Sequence, residues 1–119
     1  MKKILIVEDS PTILRILEDN FEKEYDVLTA ATGEEALEKA KAEAPIVVIL
    51  DTILPGIDGF GVCSLIKSWQ QETIPKVIMM TGSIDAFDAL QARKAGADDY
   101  CAKTSDCSEI VLAVKKLIG

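Results

Sequence analysis

The chain has 119 residues, with 13 Lys+Arg against 20 Asp+Glu and a formal net charge of −7. Apolar residues make up 49% and charged residues 28%, a globular composition that excludes intrinsic disorder. There is no histidine, which removes every triad, general base or metal site built on imidazole, and the acidic balance argues against nucleic acid as a direct ligand.

Short apolar runs alternate with segments of helical period. Ile4-Leu5-Ile6-Val7 is the first predicted strand, stopped by Glu8-Asp9. Ser10-Pro11 then supplies an N-cap and a proline at the first helical position, and Ile13, Leu14, Leu17 and Phe21 recur on one face. Val27-Leu28-Thr29-Ala30 is a weaker second strand. Thr32-Gly33-Glu34-Glu35 reads as a capping box ahead of Ala36, Leu37, Ala40 and Ala44. Ile46 to Leu50 is the third strand, and Asp58-Gly59 opens a helix carrying Val62, Leu65, Ile66 and Trp69. Val77-Ile78-Met79-Met80 is the fourth strand. An alanine-rich helix from Ala86 to Ala95 follows, ended by Gly96. Asp99-Tyr100-Cys101-Ala102 is the faintest strand, and Ser105 or Asp106 opens a last helix with Ile110, Val111, Val114, Leu117 and Ile118 as its buried stripe.

Continuous apolarity over four or five residues suits strands covered on both faces. The expected fold is therefore α/β: a doubly wound, five-stranded parallel sheet with five helices. The length fits one domain over residues 1–119, since domains cluster around ~100–150 residues. The three cysteines, Cys63, Cys101 and Cys107, make no C-x-x-C pair and point to a reducing compartment. No apolar run approaches the ~18–20 residues that span a bilayer, and the apolar stretch after Lys2-Lys3 is too short for a signal peptide. A cytoplasmic protein is expected.

Ligands of such folds sit at the carboxyl ends of the strands, where the strand order reverses. Those ends carry Glu8 and Asp9, Asp51, Thr81 and Lys103. Three carboxylates at close quarters repel one another and call for a cation. Oxygen ligands without His or Cys select a hard ion, and Mg²⁺ is the usual choice where phosphate is handled too. Asp51 then has an oxygen to spare as a nucleophile, while Lys103 and the Thr81 hydroxyl are placed to meet a phosphoryl group.

This set resembles the receiver domain of two-component response regulators, over essentially the whole chain. The matching pieces are Glu8-Asp9, the block Asp51-Thr-Ile-Leu-Pro-Gly-Ile-Asp-Gly59, Met80-Thr81-Gly82 and the run from Lys94 to Lys103. The resemblance implies a flavodoxin-like sheet in the strand order 2-1-3-4-5, and it implies that Asp51 is the phosphoacceptor, loaded from a sensor histidine kinase or a histidine phosphotransfer protein. It implies Mg²⁺ held by Asp9, Asp51 and the Ile53 backbone carbonyl, with Glu8 acting through water. Thr81 and Tyr100 would be the switch pair and Lys103 the phosphate-contacting lysine. The fourth helix, fifth strand and fifth helix would face an output partner or effector domain. Such a domain is a signalling module, not an enzyme beyond its own phosphoryl transfer and autodephosphorylation.

Two positions depart from the family pattern. Leu54 stands where Met is usual, a swap that conserves volume. Thr104 follows Lys103 where the family has a cis proline. A cis bond before a non-proline residue costs ~2.5–4 kcal/mol, so a trans bond is expected, with Lys103 still reaching the site.

Three other function classes fit these residues less well. A phosphorylation-independent adaptor on the same fold would be expected to lose Asp9, Asp51, Thr81 or Lys103, and all four are present. A nucleotide or flavin binder would want backbone N–H groups, not Glu8-Asp9, after the first strand. A metal-dependent phosphatase with an Asp nucleophile would want a second Asp where Ile53 stands.

Overall fold

The structure, a computed structural model, describes residues 1–118. Five strands and five helices alternate: β1 (Lys3–Val7), α1 (Pro11–Phe21), β2 (Asp26–Ala30), α2 (Gly33–Glu43), β3 (Val47–Asp51), α3 (Gly59–Lys67), β4 (Lys76–Thr81), α4 (Ala86–Lys94), β5 (Asp99–Ala102) and α5 (Ser108–Ile118). The strands pair in parallel in the order β2-β1-β3-β4-β5, as expected from the sequence.

The pleat explains the two cores. Leu5, Val7, Val48, Leu50, Val77 and Met79 point to one face, under Ala36 and Ala40 of α2, Val62 and Ile66 of α3 and Ala92 of α4. Ile4, Ile6, Val47, Ile49, Ile78 and Met80 point to the other, under Leu17 and Phe21 of α1 and Ile110 and Val114 of α5. Alternation by two within an unbroken apolar run is what a strand buried on both sides requires. The three cysteines are buried free thiols, and burial pushes Cys63 up to about 11 and Cys101 up to about 12. They are held in the unreactive thiol form. Among the described residues no helix is long and apolar enough to cross a membrane.

Several element ends differ from expectation. Ser10 is the N-cap of α1 but makes no side-chain cap bond; its backbone N–H instead donates to Glu8 Oε2 at 2.9 Å. Thr32 does cap α2, accepting from Glu35 N at 3.1 Å, but Glu35 reaches back to Ala31 N instead of Thr32 N. Ala44 lies beyond α2 as an exposed C-cap with φ 47°. The last helix starts at Ser108, later than Ser105 or Asp106, because Cys107 takes φ 57° and Asp106 Oδ1 caps Ser108 N at 3.0 Å.

The chain turns from β3 into α3 by close backbone contact. A Cβ at Gly59 would lie 2.0 Å from the Asp51 carbonyl oxygen and 2.8 Å from Thr52 Cα, both backbone atoms that cannot rotate away. Gly59→Ala is expected to destabilise the fold by about 1–3 kcal/mol through overpacking. At Gly82 a Cβ would meet nothing within 4 Å, so Gly82→Ala is the matched control and should be close to neutral. Urea unfolding of the two variants checks this; equal loss in both would show that the Gly59 contact is relaxed at little cost.

Candidate functional site

β1 and β3 are neighbours at the point where the strand order reverses, so their carboxyl ends border one crevice. β1 delivers Glu8 and Asp9 there, and β3 delivers Asp51. Carboxylate oxygens of Glu8, Asp9 and Asp51 all lie within 4.8 Å of one another. Glu8 and Asp51 are buried, whereas Asp9 is exposed.

Lys103, at the end of β5, crosses to this cluster from two strands away. Its backbone N–H donates to Thr81 O at 2.7 Å, extending the ladder by one residue and aiming the side chain over the strand ends. Its Nζ donates to Asp51 Oδ2 at 2.8 Å and lies 2.7 Å from Glu8 Oε1. The second contact is an ion pair set off the line of a hydrogen bond, so buried Oε1 keeps no aligned donor. The Lys103–Thr104 peptide is trans, and the lysine reaches the cluster all the same.

The charges shift as the geometry demands. Burial pushes the Glu8 carboxyl up, and the Asp51 charge adds to that push. The Lys103 ammonium and the Ser10 N–H pull back, and the result stays above the usual carboxylate value. Burial alone would push the Lys103 ammonium down. Its hydrogen bond to Asp51 and its ion pair with Glu8 outweigh that, and it is held above the ordinary lysine value.

Asp51 is oriented at both oxygens, since Oδ1 also accepts from Ile53 N at 3.2 Å. The Ile53 side chain is 79% exposed and stands at the rim. Thr81 ends β4 in a buried position, but its hydroxyl turns to the next loop, donating to Ser83 O at 3.0 Å and accepting from Ser83 N at 3.2 Å. Tyr100 lies on β5, half-buried against α4, with its hydroxyl buried and without a partner among the described residues. The structure thus brings Glu8, Asp9, Asp51 and Lys103 together, with Ile53 at their edge. Thr81 and Tyr100 stand on neighbouring strands and make no hydrogen bond to the cluster. Two participants were not visible in the sequence: the Ser10 N–H that holds Glu8, and Ser83, which occupies the Thr81 hydroxyl. Backbone groups carry no residue-type signal, and neither could have been found by spacing.

A family model described as "Response regulator receiver domain" matches residues 4–115. The chain belongs to this family. Among relatives, the alkaline phosphatase synthesis transcriptional regulatory protein PhoP of Bacillus subtilis (strain 168) is 40% identical over 118 residues, covering 98% of this chain and 48% of PhoP. The receiver thus spans about half the length of the curated relatives it matches. Of solved structures, the Vibrio cholerae chemotaxis protein CheY4 superposes with a TM-score of 0.90 at 25% identity, covering 99% of each chain. The BeF3-activated receiver domain of DrrB, a Thermotoga maritima protein, gives a TM-score of 0.87 at 34% identity over 99% of this chain and 97% of that one. A receiver domain is a signalling domain and not a classical enzyme. Its cluster of Glu8, Asp9 and Asp51 is compatible with metal binding.

Proposed function

We propose that this receiver is a Mg²⁺-dependent phosphorylation switch that accepts a phosphoryl group on Asp51. The observation that carries the reading is the convergence of three carboxylates and one ammonium at the strand-order reversal. The donor set fits a hard divalent cation. It is all oxygen, it holds more negative charge than Lys103 offsets, and buried Glu8 Oε1 has no aligned donor. Asp9, Asp51 and the Ile53 carbonyl would hold the ion, with Glu8 acting through water. Once bound, the ion would offset charge on the phosphoryl oxygens.

The chain's own residues do the rest. Lys103 and the Ile53 N–H keep the Asp51 carboxylate in one orientation, so its attack on phosphorus needs little rearrangement. An Asp51 oxygen forms the new P–O bond as the P–N bond of a phosphohistidine breaks, its electron pair leaving with the imidazole. The histidine belongs to a sensor histidine kinase or a phosphotransfer protein, since this chain has none. Lys103 then exchanges a carboxylate oxygen for a phosphoryl oxygen. The added charge, ~1.5–2 units by analogy with phosphoserine, draws the Thr81 hydroxyl from Ser83 toward the site. Tyr100 is ready to follow. Its buried hydroxyl has no hydrogen-bond partner among the described residues, so leaving its present position breaks no hydrogen bond. The face of α4, β5 and α5 around it is what an output partner or effector domain would read. Water would later remove the phosphoryl group at the same site. The setting is the cytoplasm, away from membrane and without direct contact to nucleic acid.

The test is intact-mass analysis after incubation with acetyl phosphate. Wild-type protein should gain one acid-labile phosphoryl group with Mg²⁺ and none in EDTA. No gain with Mg²⁺ would favour a phosphorylation-independent adaptor on the same fold.

Stability gives a second check. Mg²⁺ should stabilise the folded chain by RT ln(1 + [Mg²⁺]/Kd), about 2.7 kcal/mol at a hundredfold excess over Kd. Asp9→Asn removes one of the crowded charges, so it should melt above wild type in EDTA yet gain little from added Mg²⁺. A variant that melts lower in EDTA and still responds fully to Mg²⁺ would remove Asp9 from the ligand set.

A further inference from the structure

We propose that Glu34, in the first turn of α2, is a positioning residue for the site and acts on it through the loop between β3 and α3. The inference rests on reading the acidic cluster as a cation and phosphoryl site. Glu34 Oε1 accepts from the Ile57 N–H at 3.0 Å, tying two elements 23 residues apart. Gly56, at φ +75°, backs onto the same carboxylate, so that a Cβ there would lie 2.5 Å from both Glu34 oxygens. On the other side, a Cβ at Gly33 would lie 2.3 Å from the Ile57 carbonyl oxygen. The turn at Gly56-Ile57 is thus seated on the start of α2 from two directions.

The upstream end of the loop is anchored separately. Thr52 N donates to Met80 O at 3.1 Å, and Gly59 N closes back onto Thr52 O at 3.1 Å. Between the anchors lie Ile53, Leu54 and Pro55. Thr52 and Leu54 are buried on either side, but the Ile53 side chain projects into solvent, so its own packing does not fix the direction of its peptide groups. Its carbonyl, the expected ligand, and its N–H, which holds Asp51 Oδ1, then depend on the downstream pin of the loop as well as on the Thr52 anchor. Glu34 supplies the side-chain part of that pin. Because the bond is exposed, its loss changes global stability little and leaves the local effect readable.

The experiment compares wild type, Glu34→Ala and Glu34→Gln in the full chain. Gln keeps an acceptor oxygen at the same reach and removes the charge. Titration calorimetry with Mg²⁺ should show Kd raised about fivefold in Glu34→Ala, the equivalent of one hydrogen bond, and within about twofold of wild type in Glu34→Gln. In metal-free protein, the Ile57 amide should exchange with deuterium about fivefold faster in Glu34→Ala only. Wild-type Mg²⁺ binding with an unchanged Kd in Glu34→Ala overturns the positioning role and leaves the cation site standing. Equal weakening in Glu34→Gln and Glu34→Ala also overturns it, since charge and not the bond would then be acting. No saturable Mg²⁺ binding by wild type overturns the site and the role together.

Discussion

Asp51→Asn is expected to take up no phosphoryl group from acetyl phosphate under conditions in which wild type takes up one. The amide keeps the size and shape of the carboxylate but has no anionic oxygen to attack phosphorus. Competing carboxylates are poorly placed to substitute. Glu8 is buried against Lys103 and holds the Ser10 N–H, and Asp58 is committed to capping α3 through Gly61 N. Asp9 is exposed and lacks the two donors that hold Asp51 in one orientation. Intact mass of the two proteins, labelled side by side, decides the matter. Equal labelling would move the acceptor elsewhere, with Asp9 the first position to examine. Because Asp51→Asn also removes a repelling charge beside Glu8, the variant should remain folded, and a loss of labelling would not reflect a loss of structure.

The sheet was legible because a strand covered on both faces must be apolar at every position. β3 is buried throughout, and its run is the clearest in the chain. β5 is faint for the opposite reason. It lies at the sheet edge, buries only Cys101 fully, and leaves Asp99, Tyr100 and Ala102 half-covered. Helix ends were less legible. Cys107 takes a left-handed conformation that favours glycine, and no residue near it announces that choice. Leu65 falls at helical spacing with Val62 and Ile66 yet is 45% exposed, because it lines an open groove with Leu37 and Lys41 of α2 and Trp69.

The cluster was legible because topology does most of the work. In a parallel doubly wound sheet all carboxyl ends lie on one edge, so polar residues ending four apolar runs must be neighbours. Their partners were not legible. That Lys103 lies against Glu8 as closely as against Asp51 depends on the length of its stem and the trans path at Thr104. That the Thr81 hydroxyl is held by Ser83 depends on a turn made by backbone atoms. Residue types name the participants, and only the packed chain shows which of them are already engaged.

Lys103→Met shows how far the cluster depends on a single cation. Met fills much of the same volume, so the variant removes charge with little change in packing. Breaking a buried ion pair at one partner typically costs 3–5 kcal/mol; with the Lys103 side chain 13% exposed, about 3 kcal/mol is expected in metal-free protein at neutral pH. The pH dependence identifies the cause. In wild type the Glu8 carboxyl already sits above its unfolded value, so its ionisation weakens the fold as pH rises through that range. Removing Lys103 deletes the main pull in the other direction and moves Glu8 higher still. The stability of Lys103→Met should therefore recover as pH falls through the raised Glu8 value toward the ordinary carboxylate range. The Lys103 contribution in wild type has the opposite sense. Its folded value lies above the unfolded one, so it is fully present at neutral pH and lost only as pH rises past the ordinary lysine range. The gap between the proteins should be widest near neutrality and close in mild acid, as read by urea unfolding across that range. Added Mg²⁺ should narrow it at neutral pH, since a second cation relieves the same repulsion. A gap that stays constant with pH would assign the loss to the packing of the lysine stem, and no gap at all would mean that the Glu8 charge does not need Lys103.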